Sequence, residues 1–199
     1  MTIPVPCAIF PAASLLSYRQ GVETMAVRPI VVYPDPVLLQ PCREVPEITR
    51  EIRDLIPDMF DTMYAAPGIG LAANQIGLDL RIAVIDLSVG KDPKDRHVLI
   101  NPVILATELR FSEEEGCLSV PDFLENVTRP RKVRVEALDA SGKKFQLEAE
   151  GLLAKAVCHE LDHLDGLLFL NRLSPLKRNR IKKKIQKMIR AGEWAGSTR

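Results

Sequence analysis

The stretch His159-Glu160-Leu161-Asp162-His163 constrains this chain more than any other. On a helix, positions four apart project from one face, so the two imidazoles can share one divalent metal. Glu160 between them can carry a proton to or from a water activated there. A helix is expected from Leu152 to Leu164, because the segment is rich in Leu and Ala, opens after Gly151 and stops before Gly166. The chain has only three histidines, so two at this spacing around a glutamate point to a metal centre rather than to an ordinary surface helix.

Such a centre needs a third protein ligand. No histidine follows His163, the only later glutamate is Glu193 in the tail, and Asp165 lies too close along the same helix. The ligand is therefore expected upstream, from His97, Cys7, Cys42, Cys117 or Cys158. Cys158 sits about 100° round the helix from His159 and faces elsewhere. Cys7 stands in a dispensable-looking extension and Cys42 in a proline-punctuated loop, while His97 begins an apolar strand and reads as a structural or surface residue. Cys117, in Glu115-Gly116-Cys117-Leu118-Ser119, is the best of the five on chemistry, without excluding the others.

Three stretches, Gly68-Ile69-Gly70-Leu71-Ala72-Ala73-Asn74-Gln75, then Glu115 to Ser119, then His159 to Gly166, stand in an order that resembles the peptide deformylases. The resemblance runs over residues 28–188. It implies that Cys117, His159 and His163 bind one divalent metal, Fe2+ in the cell and Zn2+ or Ni2+ after handling. It also implies that Glu160 is the acid/base, and that Gln75 and the backbone N–H of Leu118 hold the oxyanion. The substrate implied is the N-formylmethionyl end of a nascent polypeptide, approached closely by Gly68, Ile69 and Gly70. These roles are chemically coherent, since amide hydrolysis needs an activated water, oxyanion donors and a proton for the leaving amine. A Cys/His/His set by itself suits Zn, Fe(II), Co or Ni. Ile69, Leu118 and Val157 are expected to line an apolar side-chain pocket. Two rivals are a conventional HExxH metalloprotease, which the missing downstream ligand opposes, and a non-catalytic ribosome-associated metal protein, which Glu160 opposes.

The first of these stretches also matches the dinucleotide pattern G-x-G-x-x-A. That fingerprint needs a strand before the glycines and a full helix after them. Pro67 and a helix-like segment precede them here, and only about ten residues separate Gly70 from the next strand, so a nucleotide fold is set aside. At 199 residues with 46% hydrophobic content, one cored unit is expected, and the net charge of +1 selects no partner class. No apolar run approaches the ~20 residues of a membrane span. Four cysteines without C-x-x-C pairs fit a reducing compartment, and a cytoplasmic monomer is expected.

Residues 1–24 read as an N-terminal extension that lacks the basic start of a secretory signal, with Met25 an alternative beginning. Residues 25–174 then form the catalytic unit and 175–199 a basic C-terminal helix and tail. Within the catalytic unit a short strand is expected at 29–33, turns at Pro34 and Pro36, and a helix over 49–64 that Pro57 should kink or split. Strands follow at 81–87 and 98–105, and a hairpin pairs the alternating segments around Val133–Ala137 and Phe145–Ala149. The fold class is α+β, antiparallel strands packed around the central HExxH helix, with the basic amphipathic helix at the end.

That last helix opens at Ser174-Pro175 and carries eight basic residues and no acidic one over 177–190, beside a stripe of Ile181, Ile185, Met188 and Ile189. Its residues allow either a packed helix with a solvated face or an rRNA contact of the ribosome, and the resemblance to the deformylases implies the second. Asp162 is expected either in a hydrogen bond behind the site or in solvent, Lys155 at the pocket rim, and Trp194 outside the chemistry.

Overall fold

The computed structural model describes residues 27–195, and the 1–24 extension lies outside them. Five strands form one antiparallel sheet in chain order: β1 (Gly70–Ala72), β2 (Ile82–Asp86), β3 (Arg96–Cys117), β4 (Val120–Leu138) and β5 (Lys144–Glu150). Three helices accompany it: α1 (Arg50–Ala65), α2 (Leu152–Leu164) and α3 (Pro175–Ala191). This is the α+β class expected from the alternation of periods, and an all-antiparallel sheet rules out the nucleotide fold.

Strand β2 shows why α2 ends up central. All five of its residues are buried, and their side chains alternate between faces. Ile82 and Val84 pack with Leu55, Met59, Phe60 and Met63 of α1. Ile85 turns the other way, joining Val133, Val135 and Ala137 of β4, Ala149 of β5, and Ala154, Val157 and Leu161 of α2. The sheet is therefore covered on one face by α1 and on the other by α2, whose small residues let it lie close against the strands.

The bounds of α2 are those expected. Beyond it, Gly166 adopts φ 71°, and Leu167 N–H returns to the Asp162 carbonyl at 2.8 Å. The hairpin closes through the Asp139–Gly142 turn, and α3 starts at Ser174, whose hydroxyl accepts from Lys177 N–H.

Four expectations are corrected. Residues 29–33 form no strand, because the bonds that Val31 N–H and Tyr33 N–H make go to different elements, to the carbonyls of Gln75 and Ser119. The strand expected at 98–105 runs on to Cys117; its middle is exposed on both faces, so it carries no alternation to read. Helix α1 passes unbroken through Pro57, which sits on the exposed face where water can take the freed carbonyl. On α3, Ile181 and Ile185 are buried and Met188 half-buried, but Ile189 is exposed, so the apolar stripe is narrower than it looked.

Gly166 generates a stability test. A Cβ there would lie 2.6 Å from the backbone carbon of Gln40, at a backbone angle that also disfavours side chains. Gly166→Ala should lower unfolding free energy by roughly 2–4 kcal/mol, read as a shifted urea midpoint with an unchanged slope.

Candidate active site

Helix geometry puts His159 and His163 on one face of α2, with ring centroids 5.0 Å apart. Cys117 ends β3, beyond a register shift in the β3–β4 ladder at Glu115/Cys117, and its Sγ lies 3.1 Å from His163 Nε2. One donor atom from each of the three residues falls within 4.8 Å of the others. The other upstream candidates are not drawn in. Cys42 and Cys158 are buried in core clusters, His97 pairs across the sheet with Ile85, and Cys7 lies outside the described residues.

Behind His159 stands an ionic network that sequence reading largely missed. Glu115 Oε1 pairs with His159 Nδ1 at 2.7 Å and accepts from Arg129 Nη2 at 2.6 Å. Arg129 Nη1 donates to Asp162 at 2.6 Å, and Arg172 donates to the same carboxylate. Burial alone would raise the Glu115 pKa, but the hydrogen bonds from Arg129 and His159 outweigh it and hold the group at about 2. Its carboxylate fixes Nδ1 as the protonated nitrogen and leaves Nε2 toward the donor set. Asp162 is thus a buried network member rather than a solvated helix residue. Its place three residues after His159 on the helix was the one available signal. Arg129, in a charged strand without a motif, offered none.

Glu160 is buried, and its Oε2 has no hydrogen-bond partner. Burial pushes its pKa up to about 7, the dominant influence on this carboxylate. A Cβ at Gly70 would stand 2.3 Å from Glu160 Oε1, so the carboxylate occupies the space that the missing side chain leaves. Gln75 is buried in the 3-10 turn after β1. Its Oε1 accepts from Ala72 N–H at 2.8 Å, which aims its amide nitrogen at Ser119 Oγ, 3.3 Å away, and at Cys117 Sγ.

These groups meet at the end of a cleft of about 530 Å³, walled by Ile69, Leu118, Val120, Phe123, Leu152 and Ala156. Gly68 and Gly70 line the same cleft. Val157 does not, because it faces the sheet within the core between α2 and β4, one helical step from the cleft side. Lys155 is at the rim as expected, its ammonium 3.2 Å from Glu113 and 3.1 Å from the Glu114 carbonyl.

One thiol and two imidazoles converge here, with one imidazole already oriented from behind by Glu115, and that set fits a divalent metal. With a buried carboxylate alongside and an apolar cleft next to it, the arrangement is compatible with a metal-dependent hydrolase. A family model described as polypeptide deformylase matches residues 27–179. A peptide deformylase of Acidobacterium capsulatum is 54% identical over 170 residues, 85% of this chain and all of that relative. Its counterpart in Azotobacter vinelandii is 52% identical over 83% of this chain and 98% of the relative. The crystal structure of a peptide deformylase from Legionella pneumophila superposes with a TM-score of 0.78 at 45% identity, covering 85% of this chain and 99% of that one. The chain belongs to the polypeptide deformylase family, metal-dependent hydrolases that act on the formylated ends of nascent peptides.

Arg129 carries the prediction here. Arg129→Leu leaves the Glu115 and Asp162 carboxylates buried without their shared cation, and should cost about 3–5 kcal/mol in chemical denaturation. A loss below ~1 kcal/mol would mean that both carboxylates find water or other partners.

Proposed function

We propose that this protein removes the formyl group from N-terminal formylmethionine, with Cys117, His159 and His163 as metal ligands and Glu160 as general acid/base. The observation carrying this reading is the convergence of those three donors beside a buried glutamate whose second oxygen is unpartnered. A divalent metal bound there would lower the pKa of water and polarise the formyl carbonyl. We assign Fe2+ as the metal in the cell, with Zn2+ or Ni2+ able to replace it in preparations.

Glu160 takes a proton from the water as its oxygen bonds to the formyl carbon. The Gln75 amide and the Leu118 backbone N–H donate to the oxygen that becomes negative. Glu160 then returns the proton to the amine nitrogen as the C–N bond breaks, releasing formate and the free N-terminus. A pKa raised by burial suits a group that must both accept and give a proton near neutrality, and a cation beside it draws the value back down. Gly68, Ile69 and Gly70 admit the peptide backbone, and the apolar cleft receives the methionine side chain. The reacting end is shut in, with Glu160 3% and His163 1% exposed, which suits a small terminal group better than the internal bond a metalloprotease cuts.

Within this reading residues 25–174 carry the chemistry, and 175–199 bring a monomeric enzyme to the ribosome. Support comes from α3, where Arg180, Lys183 and Lys187 are exposed while Ile181 and Ile185 anchor the helix to the body of the protein. Among the described residues no helix is long and apolar enough to cross a membrane.

Turnover of formyl-Met-Ala-Ser, compared with an unblocked peptide and one offering only internal bonds, tests the reaction. Glu160→Ala should keep bound metal while kcat drops ~10²–10⁴-fold. Gln75→Ala should lose ~10²–10³-fold. Cys117→Ser should lose most of its metal, as measured by elemental analysis. Metal and turnover both surviving Cys117→Ser would remove that residue from the ligand set. Actinonin, bound in a solved Ehrlichia chaffeensis peptide deformylase, should inhibit here too.

A separate measurement addresses the ribosome. Charge reversal at Arg180, Lys183 and Lys187 should weaken co-sedimentation with ribosomes and flatten its salt dependence, leaving short-peptide turnover intact. Lys182 is left in place because its ammonium lies 5.7 Å from the Tyr33 ring centroid. Unchanged co-sedimentation would make α3 a packed helix with a solvated face.

A further inference from the structure

Trp194 is the only tryptophan in the chain and lies past the end of α3, where a tail ordinarily frays. Instead it is 4% exposed. Gly192, in the left-handed conformation at φ 70°, and the Glu193 N–H, bonded back to the Met188 carbonyl at 2.9 Å, fold the chain inward. Among the contacts of the indole, two are directed at named neighbours. Its ring centroid lies 6.1 Å from that of Phe123, tilted by 55°, and its Nε1–H donates to the Tyr33 carbonyl at 2.6 Å.

Both contacts lead to the cleft. Phe123 is one of its walls. Tyr33 N–H donates to the Ser119 carbonyl at 2.8 Å, and Ser119 follows Leu118 in the β3–β4 turn and accepts from Gln75 through its hydroxyl. The same cluster holds Ile181 and Ile185 of α3, and Lys184 of that helix places its ammonium 5.1 Å from the Phe123 ring centroid. A tryptophan needed only to bury apolar area could pack against any part of the core. Here the ring is used on a wall of the cleft, and the N–H on a residue bonded to the turn beside it.

We propose that Trp194 is a positioning residue for the substrate cleft, holding the Phe123 wall and bracing the Ser119 turn through Tyr33. The proposal rests on the reading that this cleft receives the formylmethionyl residue. The C-terminal segment is on this account part of the binding site's rear support.

The test uses the metal-loaded full chain with formyl-Met-Ala-Ser. Trp194→Ala should raise KM roughly two- to tenfold, the span an aromatic pair contributes, while kcat and bound metal hold. Trp194→Phe restores the ring contact and should recover most of that loss. The single indole supplies a second readout. In the Glu160→Ala protein, where the peptide stays uncleaved, adding formyl-Met-Ala-Ser should shift Trp194 emission saturably. An unchanged KM in Trp194→Ala, whatever its melting temperature, overturns the proposal, as does flat emission up to saturating peptide. Absence of turnover by the unmodified chain is a different failure, striking the deformylase reading itself.

Discussion

The Arg129 guanidinium lies between two buried carboxylates, Glu115 at the end of β3 and Asp162 on α2, while Arg129 itself stands on β4. Three elements are pinned to each other by one side chain. Removing Arg129 alone strands two buried charges, but replacing a whole network of this kind by apolar residues of similar volume is often neutral or stabilising, so bulk stability does not account for its presence. What it adds is register. Cys117 comes from β3 and the histidines from α2, and a slip between those elements would pull the donor atoms apart. The network also reaches the reactive ring, because the Glu115 oxygen bonded to Arg129 Nη2 is the one paired with His159 Nδ1. A guanidinium with several fixed donors can orient two carboxylates at once, where a lysine could not hold both planes.

Those features fixed by neighbours in the chain were readable from the sequence. Helix α2 carries its start and stop in Gly151 and Gly166, the last hairpin shows strict alternation, and Ser174-Pro175 opens α3. Features decided by distant pairing were not readable. Five residues could have supplied the third ligand on chemistry alone, and only the antiparallel path of β3 past α2 brings Cys117 to the histidines. The family resemblance pointed to it, but spacing did not. Val157 was misplaced for a related reason. A helix buried on most sides has no polar face to tell cleft from core, and the side that faces the sheet is set by β4. Arg129 carries no local signal of its burial, since burial of a charge is decided by partners that lie far off in sequence.

The same contrast bears on the acid/base role proposed for Glu160. Asp86 offers the comparison: it accepts from Tyr64, Ser88 and Gly90, and sits at about 2 despite burial that would raise it. Glu160 has burial without that satisfaction, and its pKa moves the other way. A core selected only for stability would give this carboxylate a donor or replace it with an apolar side chain. The chain instead spends a glycine at position 70 to make room for it. Arg129 rigidifies the shell behind the site, while the Glu160 carboxylate in front of it is held by shape, in the space that Gly70 leaves.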